Sequence, residues 1–96
     1  MRLNTVTGCT GAGIVRDNSG SLIQNNVVTG NGGDGILMSG VGAVGNLIDG
    51  NQIRGNSGLG INAGSTTNHY RNNMLAGNLG GPTAGGTNDG GNITGP

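Results

Sequence analysis

NNVVTGN (Asn25–Asn31), GNQIRGN (Gly50–Asn56) and NNMLAGN (Asn72–Asn78) repeat one pattern, Asn-x-apolar-x-Gly-Asn. Their aligned asparagines, Asn26, Asn51 and Asn73, lie 25 and 22 residues apart. Asn4, 22 residues before Asn26, opens NTVTG in the same pattern, with Cys9 in the place of the final Asn. Two further markers keep step. Gly-Ile recurs at Gly13-Ile14, Gly35-Ile36 and Gly60-Ile61, and a third apolar position recurs at Ile23, Ile48 and Tyr70. From Val6, Val28 and Ile53 to the next Gly-Ile isoleucine is always 8 residues. From that isoleucine to the third marker is 9 residues in two repeats and 12 in the middle one, which places three extra residues in MSGVGAVGN (Met38–Asn46). A loop that lengthens at one corner while the register holds elsewhere is how a solenoid absorbs an insertion.

Around each marker, apolar and polar residues alternate, which is the period of a strand. Three markers per repeat therefore predict three short strands per coil. Gly and Asn fill the corners because tight bends need positive φ, which those two types tolerate. A helix is a poor competitor, since glycine costs about 1 kcal/mol per residue there relative to alanine. Stacked coils would pair in parallel at about 4.8 Å. The expected core is then three vertical columns: Val6, Val28, Ile53 and Leu75; Ile14, Ile36 and Ile61; Ile23, Ile48 and Tyr70. Identical side-chain amides on successive coils can each donate and accept, so Asn4, Asn26, Asn51 and Asn73 are expected to form a ladder inside one corner.

Composition agrees with an ordered stack and not with an ordinary globule. The chain has 96 residues, 24 of them Gly, and a single aromatic ring, Tyr70, so the large side chains that usually fill a core are missing. Charged residues are only 8%, whereas disordered chains usually stay expanded through charge. Four Arg offset four Asp, with neither Lys nor Glu, and the basic footprint of a nucleic-acid binder is absent. Cys9 stands alone and can form no internal disulfide. MRLNTVTGCT has no apolar run of signal-peptide length, and no stretch approaches the roughly 20 apolar residues of a membrane span.

GNGGDGILMSG (Gly30–Gly40), GNLIDGNQIRGNSGLGI (Gly45–Ile61) and NNMLAGN (Asn72–Asn78) resemble the right-handed parallel β-helix repeat family, whose roughly 22-residue repeats occur in NosD-like periplasmic proteins and pectate-lyase-like, carbohydrate-active β-helices. The resemblance covers about residues 3–79. It implies an all-β fold, a single-stranded right-handed parallel β-helix of about four coils, in an exported, periplasmic or cell-surface protein that faces polysaccharide. Met1 leads directly into an Asn-motif strand, so the chain is expected to continue a longer helix or to self-associate through open coil ends, whose backbone groups would be unpaired. At positions 82 and 83, Pro82-Thr83 replaces the expected Gly-Ile, and proline cannot donate a ladder hydrogen bond. Residues 1–79 are accordingly read as coils and 80–96 as a Gly-rich tail or cap.

Little in the sequence points to chemistry. A hydrolase of this class needs two carboxylates about the scissile bond, and a lyase needs carboxylates to hold Ca²⁺. Asp17, Asp34, Asp49 and Asp89 fall in different columns of the repeat, with no two stacked. Asp49 and Arg71 do share an outward column with Gln24 and are the one pair to suggest a ligand contact; the simpler reading is a solvated cross-strand ion pair. His69 shares the column of Leu22 and Leu47 and is read as packed, with no carboxylate in its register. GNGGDGI (Gly30–Ile36) matches part of a calcium-binding nonapeptide, but no nine-residue repeat follows. A flat array of threonines for ice binding is not sustained, since Thr5 and Thr7 give way within two coils to Gln52 and Arg54 in their columns. No catalytic residue, metal site or cofactor is expected. The leading reading is a structural or ligand-presenting segment; the alternative is a piece of a polysaccharide lyase or hydrolase whose active coils lie elsewhere.

Overall fold

The computed structural model describes Met1 and residues 3–95. Eleven strands and no helix occur among these residues: β1 (Thr5–Thr7), β2 (Ile14–Arg16), β3 (Leu22–Gln24), β4 (Val27–Thr29), β5 (Ile36–Met38), β6 (Leu47–Asp49), β7 (Gln52–Arg54), β8 (Leu59–Arg71), β9 (Met74–Ala76), β10 (Gly81–Asn88) and β11 (Ile93–Gly95). Every pairing is parallel. One sheet runs β1-β4-β7-β9-β11. The other holds two columns, β2 beneath β5 and β3 beneath β6, joined because β8 is long enough to pair with both β5 and β6. Counted from the motif asparagines, coil 1 begins at Asn4, coil 2 at Asn26, coil 3 at Asn51 and coil 4 at Asn73.

The register follows the sequence columns. Val6, Val28, Ile53 and Leu75 are successive partners, as are Ile14, Ile36 and Ile61, and Ile23, Ile48 and Tyr70. All are buried except Val6, which is partly covered at the first rung. Parallel strands stack identical positions at one height, so each column is a continuous apolar rod. A further inward row comes from the last residue of the second strand: Arg16 pairs with Met38, and Ala63 lies on the coil above. Met38 and Ala63 are buried, and Arg16 Nε is also buried, without a hydrogen-bond partner among the described residues.

One corner shows why Asn and Gly interchange. Asn25, Gly50, Asn72 and Gly91 have φ of 56°, 70°, 54° and 69°. All four are left-handed, a conformation that Asn and Gly tolerate. Each Asn lies beneath a Gly: a Cβ on Gly50 would strike Asn25 Oδ1, and one on Gly91 would strike Asn72 Oδ1.

Pairing runs on beyond residue 79, where the sequence reading ended the coils. Gly81–Asn88 pairs with β8 and Ile93–Gly95 with β9, so residues 81–95 complete coil 4 and begin another rung; Pro96 lies outside the described residues. Pro82 is compatible with this because its missing N–H belongs to the side that would face a following coil, not to the side bonded to coil 3.

Candidate functional site

The buried polar atoms belong to the scaffold. In the first ladder the amide nitrogen of each asparagine donates to the Oδ1 of the asparagine above: Asn4 to Asn26 at 3.2 Å, Asn26 to Asn51 at 3.0 Å, Asn51 to Asn73 at 3.0 Å. Asn92 continues it, accepting from Asn73 Nδ2 at 3.1 Å. Backbone N–H groups reinforce each step, as from Asn26 to Asn51 Oδ1 at 2.9 Å. Two more ladders were missed in the sequence. Asn31, Asn56 and Asn78 are linked at 2.9 Å per step, with Cys9 N–H donating to Asn31 Oδ1 at 3.0 Å where an asparagine would otherwise stand. Asn46 and Asn68 form the third, at 3.0 Å, headed by Ser21 N–H. The second was visible as the closing Asn of each motif. The third has only two amide members, beside the coil-2 insertion, and left little repeat signal.

The chemistry-bearing side chains gather on the outward face of the third strand column. Gln24, Asp49 and Arg71 are register partners. Asp89 follows Asn88, the partner of Tyr70, and its N–H donates to Tyr70 O at 2.9 Å, so it falls beside Arg71 on the next rung. Two carboxylates therefore flank Arg71 in one row, contrary to the sequence reading that no two Asp share a column. The reason lies in coil 4. Its link from Thr83, partner of Ile61, to Asn88 is far shorter than the corresponding link in coil 3, and a constant repeat length cannot foresee that.

Asp49 is the centre of this strip. Its Oδ2 receives Arg71 Nη2 at 3.4 Å and Gln24 Nε2 at 3.5 Å, and its Oδ1 receives Asn72 Nδ2 at 3.4 Å. These contacts hold the carboxylate while leaving much of the Arg71 side chain in solvent. His69 sits one rung from Leu47 on the same face. Its Nδ1 lies 2.8 Å from Asp89 Oδ2, and 44% of its side chain is exposed. The expectation of a packed His69 without a carboxylate is thus corrected on both counts. Thr87 is its partner on the next rung, but Thr87 Oγ1 donates to Thr66 O and is not directed at the imidazole.

The remaining candidates lie apart from the strip. Asp34 clamps coil 2 to coil 3, its Oδ1 accepting Leu59 N–H at 2.8 Å and its Oδ2 accepting Asn62 Nδ2 at 3.3 Å. Among the described residues no three His, Cys, Asp or Glu side chains come together in a way that could hold a metal ion. Tyr70 is buried in its column, with its hydroxyl 3.3 Å from Thr83 Oγ1.

A family model described as a right-handed beta helix region matches residues 1–93. No curated protein and no solved structure matches the chain.

Proposed function

The chain belongs to the right-handed β-helix family, and from that premise we propose that it is a structural, ligand-presenting module whose polar strip faces polysaccharide. The observation that carries this reading is the row Gln24, Asp49, Arg71 and Asp89 with His69 beside it. The strip places three of the eight charged residues, and the single His, on one side of one strand column. Rungs about 4.8 Å apart set these groups at regular intervals. The only aromatic ring is buried, so sugar recognition here works through carboxylate, guanidinium and amide groups. The exposed Arg71 fork suits an acidic sugar, because guanidinium meets carboxylate in a planar, two-point contact. A place outside the cytoplasm, in the periplasm or on a cell surface, follows from the company such repeats keep and is part of the proposal.

A glycan array that includes polyuronates, run with a depolymerisation assay on the same polymers, tests it. Binding without turnover, lost in Arg71→Gln, is the expected result. Absence of binding to every glycan would end the polysaccharide reading. Chain cleavage by this protein would replace it with the alternative, a catalytic member of the polysaccharide-active β-helices.

A further inference from the structure

Coil 4 departs from the coils below it in three ways with one consequence. In coils 1 to 3 the glycine of the Gly-Ile pair is demanded by the coil above. A Cβ on Gly13 would lie 3.0 Å from Gly35 O, on Gly35 2.7 Å from Gly60 O, and on Gly60 2.7 Å from Pro82 O. Each would also press on the next coil's amide, 2.7 Å from Asn31 Nδ2, 3.0 Å from Asn56 Nδ2 and 2.9 Å from Asn78 Nδ2. The same glycines donate upward, Gly13 N–H to Asp34 O at 3.0 Å and Gly35 N–H to Leu59 O at 2.8 Å. In coil 4 this position is Pro82, between Gly81 and Thr83, the partners of Leu59 and Ile61. Proline carries the Cβ and lacks the N–H. A coil laid on it would meet the clash and miss the bond.

The second departure is the shortcut from Thr83 to Asn88, which draws the backbone across the core. A Cβ on Gly86 would fall 2.5 Å from Ala63 Cβ and 3.2 Å from Tyr70 Cε1, so main chain lies where a regular coil would place a side chain. The third is that coil 4 has Gly86, not an asparagine, above Asn68, and two ladders close on themselves. Asn92 Nδ2 donates to Asn88 Oδ1 at 2.7 Å within its own loop. Asn68 Nδ2 donates to Ala63 O of its own coil at 2.7 Å. In both cases an internal carbonyl takes the place of the next asparagine.

We infer that coil 4 is a built stop, closing the solenoid core at this end to any further coil in register, whether from the same chain or from a second copy. This stands independently of the glycan reading. It confines strand addition to the other end. In the row Thr5, Val27, Gln52 and Met74 the N–H points to the coil below, as Val27 N–H does to Asn4 O, Gln52 N–H to Asn26 O and Met74 N–H to Asn51 O. Thr5 N–H by the same rule faces away from coil 2, at the open edge.

The test is an extended chain in which residues 30–54 of this protein follow Gly95, which occupies the register position of Thr29. Gly35 of the added coil then falls above Pro82. Native-state amide exchange reads whether that coil folds on. With Pro82 in place the added strands exchange as an unfolded peptide does. In Pro82→Gly/Asn88→Ala they become protected at least about tenfold, and in Pro82→Ala/Asn88→Ala, which restores the N–H but keeps the Cβ, they do not. Protection of the added coil with Pro82 present would overturn the inference without recourse to any variant. So would an unprotected coil in the glycine variant. Loss of protection in β1–β8 of that variant would count equally against it, since a stop laid over the last rung is removable without unfolding coils 1 to 3.

Discussion

Replacing Asn51 with alanine removes the middle of the first ladder. Asn51 is 1% exposed. Its Oδ1 accepts Asn26 N–H at 2.9 Å and Asn26 Nδ2 at 3.0 Å, and its Nδ2 donates to Asn73 Oδ1 and to Ile23 O, both at 3.0 Å. In Asn51→Ala the buried Asn26 N–H loses its acceptor, which costs about 1–3 kcal/mol. Asn26 Nδ2 keeps Met1 O at 3.1 Å, and Asn73 Oδ1 keeps Asn51 N–H at 2.9 Å. The losses at Asn73 and Ile23 are therefore ordinary hydrogen bonds, about 0.5–1.5 kcal/mol each. The sum, about 2–6 kcal/mol, is a large share of the roughly 5–15 kcal/mol typical of a domain. Urea unfolding followed by far-UV circular dichroism measures it through the transition midpoint. Gln52→Ala, at the exposed neighbouring position on the same strand, is the control and should stay within about 0.5 kcal/mol of wild type. If Asn51→Ala costs no more than Gln52→Ala, the ladder is not a source of stability and the reasoning is wrong.

Two further outcomes follow from the same geometry. Gly35→Ala places a Cβ 2.5 Å from Ile53 Cγ2 and 2.7 Å from Gly60 O; because backbone cannot yield as a side-chain tip does, it should lower stability by about 1–3 kcal/mol. Gly11→Ala, with nothing within 4 Å of the new Cβ, should be neutral or slightly stabilising, and equal thermal midpoints for the two would refute the steric account. A double-mutant cycle on Asp49→Asn and Arg71→Gln should return about 0.2–1 kcal/mol of coupling, shrinking as salt is raised. The pair spans 3.4 Å with the arginine half in water, so a coupling above that range, unmoved by salt, would contradict a solvated pair.

The columns were legible because burial acts on every coil alike. Val28, Ile53 and Leu75 face the same interior, and their spacing survives the three-residue insertion after Met38, which leaves the register on either side intact. The first ladder was legible for the same reason. The third was not, because Asn46 and Asn68 recur once only. His69 and Asp89 were not paired because their meeting depends on how many residues coil 4 uses to turn a corner.

The sequence by itself determined the coil, its three strands, its apolar columns and the first asparagine ladder, since each rests on a repeated demand for burial or for a paired amide at one height. Tertiary structure alone decided the fate of residues 80–95, the arrival of Asp89 at His69 beside the Asp49–Arg71 pair that the repeat had already placed together, and the orientation of Pro82. A strand's two edges are physically different, one bonded to the coil below and one facing whatever comes next. A proline in the sequence does not reveal which of them has lost its donor until the coil beneath it is in place.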